Sequence, residues 1–82
     1  MKIKKIKAVI KEKKPLFINS DFITLDSALK FAGIVGTGGE AKMLINEGLI
    51  FVNKEVCTMR GKKLRDGDVF SFEREIFEVK NK

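Results

Sequence analysis

The sequence predicts an α+β fold: two short helices packed on a small, mostly antiparallel sheet built from β-hairpins. Two observations carry this. Apolar residues recur at helical spacing twice between residues 23 and 48, and beyond Gly48 they alternate around the turn signals "NK" and "RDGD". With 82 residues the chain has room for one domain with a small core.

In "ITLDSALKFAG", Leu25, Ala28, Leu29 and Ala32 follow i, i+3, i+4, i+7 and so share one helical face. Thr24 is placed to cap this helix, Asp26 adds negative charge to its first turn, and Gly33 can end it in a left-handed conformation. Ile23 precedes the cap, where it can pack on Ala28. The second helix begins in "GTGGEAK". Thr37 and Glu40 have the spacing of a reciprocal capping box, Ala41, Leu44 and Ile45 form the apolar stripe, and Gly48 closes the helix. A phosphate-binding P-loop needs a Gly-Lys-Ser/Thr ending and a strand leading into it, and neither is present. The glycines instead bare the first turn: Gly38 and Gly39 put no side chain there, so an anionic backbone can approach its N–H groups. Gly39, Lys42 and Asn46 lie on the face opposite the core stripe.

The stretch "LIFVNKEVCT" reads as a hairpin, with Ile50 and Val52 before an Asn53–Lys54 turn and Val56 after it. "VFSFE" and "EIFEV" form another strand pair, with Arg74 and Glu75 in its turn. Asp66 and Asp68 in "RDGD" are better explained by turn formation than as a metal pair. At the start of the chain, Ile6, Ala8 and Ile10 alternate as in a strand, while Ile3, Ile6 and Ile10 also fit a helix. Residues 1–15 are therefore set apart as a basic strand or arm, and residues 16–82 as the domain.

Charge is unevenly placed. The net charge is +6, and residues 1–14 account for all of it through seven lysines and Glu12. The remainder is neutral, so a basic patch there requires segregation between faces. "RGKKLR" concentrates Arg60, Lys62, Lys63 and Arg65, either as a solvated loop or as a cluster whose mutual repulsion an anionic ligand relieves. The basic start contains no signal-peptide apolar region, and no apolar run reaches the roughly 20 residues that span a bilayer, so the expected location is the cytoplasm. Without histidine and with a single cysteine, Cys57, the chain offers no ordinary zinc site, no internal disulfide and no nucleophile with an evident base. The expectation is a protein that is not an enzyme and needs no cofactor.

From about Phe22 to Val79, the order of helix, "TGGEAKMLINEG" helix, "IFVNKEV" hairpin, "RGKKLRDGDVF" loop and closing strands resembles the S-four RNA-binding domain. This is the alpha-L motif, and the closest likeness is to its small stand-alone bacterial members, the YaaA/YbcJ-like proteins. The resemblance implies a module that binds structured RNA, ribosomal RNA foremost, across the exposed face of both helices and the loop beside the hairpin. Carried over, the contact positions are Thr24, Thr37, Gly38, Gly39, Lys42, Asn53 and Lys54, flanked by Arg60, Lys62, Lys63 and Arg65. The wider family often has arginine at the positions of Thr24 and Gly38 and glycine at that of Lys54. With no Trp or Tyr, and with Phe51, Phe70, Phe72 and Phe77 in strands, recognition of backbone and shape is expected over base stacking. The rival reading is an adaptor that docks on a ribosomal or replication protein through the same surface. A membrane role through the lysine-rich start is weak, because its isoleucines offer little apolar area. No heptad pattern is present, so a monomer is the simplest state.

Overall fold

A computed structural model describes residues 12–82; the alternating isoleucines of the expected arm fall outside them. The elements are β1 (Lys13–Ile18), β2 (Ile23–Thr24), α1 (Leu25–Phe31), α2 (Gly38–Asn46), β3 (Phe51–Val52), β4 (Glu55–Val56), β5 (Lys63–Leu64), β6 (Val69–Phe72) and β7 (Glu75–Asn81). Five strands form one sheet in the order β1-β7-β6-β3-β4, and β2 pairs with β5 in a separate small sheet. Within the larger sheet only β1 and β7 run parallel. β1 straddles residues 15 and 16, so Lys13, Lys14 and Pro15 belong to a strand. Pro15 fits because β1 is an edge strand, where proline is tolerated.

Both helices form over the residues that their periodicity marks out, and they bury most of the stripes expected of them, with Ala32 and Leu44 only half-buried at the margin of the core. Leu25, Ala28 and Leu29 of α1 and Ala41 and Ile45 of α2 join Leu16, Ile18, Ile50, Val52, Leu64, Phe70, Phe77 and Val79 in one buried cluster. Phe70 and Phe77 are cross-strand partners whose rings stack at 5.5 Å. Burying a side chain of this size contributes about 1.5–3 kcal/mol, so the pair is a main support of the small core.

The helix ends explain where the helices stop. Gly33 and Gly48 follow α1 and α2 with φ of +81° and +75°, the left-handed conformation that frees the last carbonyls for capping. At the start of α2, Thr37 Oγ1 accepts from the Glu40 N–H at 3.1 Å, as the capping spacing predicts. The reciprocal bond differs: Glu40 Oε1 accepts from the Gly36 N–H at 2.8 Å, one residue before the expected Thr37. The carboxylate thereby ties the incoming turn, rather than the cap itself, to the helix.

The turns follow their chemistry. Asn53 and Lys54 take φ of +50° and +74°, the two left-handed residues of a type I′ hairpin between β3 and β4. The turn between β6 and β7 is Glu73–Arg74, one residue earlier than the sequence suggests. Glu73 adopts φ of +55°, and Glu75 is already paired with Phe72. In "RDGD" both carboxylates serve the backbone: Asp68 Oδ2 accepts from the Arg65 N–H at 2.8 Å and Asp66 Oδ1 from the Asn81 N–H at 2.7 Å.

Lysines of β1 and β7 are neutralised within the sheet. Lys13 and Lys80 lie 3.2 and 3.5 Å from the two oxygens of Glu78, and Lys14 lies 3.2 Å from Glu75. The Lys13 hydrogen bond, aided by the charges of Lys13 and Lys80, holds the Glu78 carboxyl below its ordinary pKa against a smaller opposing effect of desolvation.

Candidate nucleic-acid interface

The pairing of β2 with β5 decides where the cations go. Its register sets Ile23 opposite Leu64 and Thr24 opposite Lys63, and the fully buried Leu64 anchors the pair to the core. Because side chains alternate along a strand, Lys63 leaves on the side opposite Leu64, with Arg65 two residues on. Just before the pair, the loop is fixed by its own backbone. The carbonyl of Lys62 accepts from the Leu25 N–H at 2.8 Å, and that of Arg60 from the Asp26 N–H at 3.1 Å. These are first-turn amides of α1, which have no partner within the helix. The side chain of Thr24, expected to cap them, does not; its hydroxyl donates to Asp26 Oδ1 at 2.7 Å and lies 3.0 Å from Ser27 Oγ.

The loop thus caps α1 with carbonyls and turns Arg60, Lys62, Lys63 and Arg65 outward, all four exposed. None forms an ion pair among the described residues. Lys63 Nζ and the Arg65 guanidinium instead stand 4.9 and 5.6 Å from the ring centre of Phe22. Phe22 was not singled out from the sequence. Its signal was an aromatic residue just before a short strand whose partner carries cations at i and i+2, and that signal is readable only once β2 and β5 are known to pair.

The first turn of α2 forms a second group. Thr37, Gly38, Gly39 and Lys42 are all exposed, and Lys42 shares a shallow depression with Gly39, Met43, Asn46 and Glu47. The N–H groups of Gly38 and Gly39 meet no acceptor among the described residues. Neither glycine has positive φ, a Cβ on Gly38 would meet nothing within 4 Å, and one on Gly39 would meet only Thr37 Oγ1 at 3.9 Å. Backbone conformation and packing therefore do not require glycine at either position, although each costs up to about 1 kcal/mol of helix propensity relative to alanine.

The hairpin turn is the third group, and much of it is occupied internally. Asn53 Oδ1 accepts from the Val69 N–H at 3.0 Å and Asn53 Nδ2 donates to Asp68 Oδ1 at 3.2 Å, so this side chain locks the hairpin to the start of β6. Lys54 is exposed without an ion pair among the described residues. Asn53 and Lys62 line one groove together with Cys57, which is half-buried against the core. The structure therefore joins Thr24 to Lys63 and the hairpin to Lys62, and it packs α1 on α2. No hydrogen bond or ion pair among the described residues links the α2 turn to the loop.

Comparison with known proteins identifies the family of the fold that carries this surface. Residues 16–80 match the family model for the S4 domain. The chain is also similar to a protein of Bacillus subtilis (strain 168) named "Probable ribosome maturation protein RlbA", with 41% identity over 59 residues, 72% of this chain and 83% of the relative. No helix among the described residues is long and apolar enough to cross a membrane.

Proposed function

The chain belongs to the S4-domain family, and from that membership we propose that it is a non-catalytic, cytoplasmic RNA-binding protein acting in ribosome maturation. Its ligand is structured RNA, ribosomal RNA in particular, held mainly by phosphate contacts and shape. The observation that carries this reading is the loop of Arg60, Lys62, Lys63 and Arg65: its backbone is fixed on α1, while its four charges have no carboxylate partner among the described residues. Fixed cations release the condensed counterions of a phosphate backbone without first breaking internal ion pairs. The bare first turn of α2, with Lys42 beside it, adds backbone donors that suit a second phosphate.

The test is a titration of nucleic-acid-free protein with ribosomal RNA fragments and matched duplex DNA across several salt concentrations, beside Lys42→Glu/Lys63→Glu. The expected result is a preference for RNA and a steep salt dependence. The variant should weaken binding at least about tenfold and lower the slope of log K against log salt by about two. Equal binding by the variant, or equal competition by DNA, sinks the assignment.

A further inference from the structure

Lys63 and Arg65 flank the buried Leu64, so strand alternation sends both to the same outward side, where the half-buried ring of Phe22 meets them at 4.9 and 5.6 Å. Ring and cations hang from one scaffold, because Phe22 precedes Ile23 and Ile23 pairs with Leu64. A phenyl face attracts each cation and limits the rotamers available to two long side chains, whose ordering binding must otherwise supply. It does so against the repulsion between the cations, which no carboxylate among the described residues offsets by an ion pair. The other cation held on a ring among the described residues, Lys14 at 5.7 Å from Phe77, is already paired with Glu75. Two unneutralised cations gathered on one ring are arranged to receive an anion, and a guanidinium beside an ammonium suits the oxygens of one phosphate.

We propose that Phe22 is a positioning residue that sets Lys63 and Arg65 as a subsite for a single backbone phosphate. The inference rests on the RNA-binding reading above and deepens it. Phe22 acts through the two cations rather than by stacking on a base.

Wild type, Phe22→Leu and Phe22→Tyr are titrated with a ribosomal RNA fragment and with inorganic polyphosphate, which has phosphates but no bases, across several salt concentrations. Melting temperature reports folding, and Phe22→Met, whose longer, flexible side chain can fill an irregular gap, replaces the leucine variant if that one is destabilised. Phe22→Leu is expected to weaken both ligands about three- to tenfold and to lower the salt slope by about one, with Phe22→Tyr binding like wild type. In a Lys63→Gln/Arg65→Gln background the leucine change should have no further effect. Loss of RNA binding with polyphosphate binding and slope intact would make Phe22 a stacking platform and overturn the proposal. Unchanged binding of both ligands overturns it while leaving the RNA reading in place. If polyphosphate binding depends on Phe22 but RNA is bound no better than DNA, the subsite stands and the RNA reading falls. A wild type that binds neither ligand overturns both.

Discussion

Two basic regions of this protein treat their charges differently. Along β1 and β7, Lys13, Lys14 and Lys80 are each within 3.5 Å of a carboxylate. In the loop from Arg60 to Arg65, four cations have no such partner among the described residues, and two of them share an aromatic ring instead. The first region spends its lysines on the sheet, where Lys13 and Lys14 of β1 and Lys80 of β7 offset Glu75 and Glu78 of β7. The second keeps its charge available while fixing its backbone. Composition alone does not separate these cases; what separates them is whether the fold brings an acidic residue within reach of each cation.

The contrast can be broken most directly by making the same charge change in both places. Lys13→Glu/Lys80→Glu and Lys42→Glu/Lys63→Glu each carry the net charge from +6 to +2, since each substitution removes two units. Titration with ribosomal RNA should find the sheet variant within about twofold of wild type, while the other loses at least about tenfold. Thermal melting should rank them in reverse, because the sheet variant places new carboxylates beside Glu78. Equal losses of RNA affinity would mean that total charge, not its placement, governs binding. A smaller effect sharpens the picture at α2. Gly38→Ala/Gly39→Ala should raise stability by about 1 kcal/mol in denaturant unfolding and weaken RNA binding several-fold, since the glycines are not needed by the fold. The smallest effect concerns pH. The folded pKa of Glu78 is lowered, so its contribution is present above the unfolded pKa and is lost as pH falls through the folded value. Glu78→Gln should therefore flatten the acid limb of a stability-against-pH curve slightly and leave RNA binding at neutral pH unchanged.

Local signals made much of this structure legible. Helical spacing located both helices, the Thr37 cap matched its spacing, and Asn53–Lys54 formed the two-residue turn expected of it. The parts that were not legible are non-local. β2 and β5 have two residues each, too few to show a period, and their partners lie about forty positions apart in the chain. Residues 60–65 therefore read as a loop, and Phe22 went unnoticed. β1 was legible only in part: residues 1–15 read as a basic strand or arm, but its continuation through residues 16–18 is set by parallel pairing with β7, about sixty positions away in the chain. The basic residues of the loop were readable as a cluster, but whether they were neutralised depended on which residues folding brings beside them.

Arg60 and Lys62 grip α1 through main-chain carbonyls. Every amino acid owns that group, so the anchoring of the loop does not depend on which side chains it carries. Side-chain identity at these two positions is thus largely uncoupled from this anchoring, and under the RNA-binding reading proposed above a lineage can change what the loop prefers by exchanging side chains on an unchanged mount.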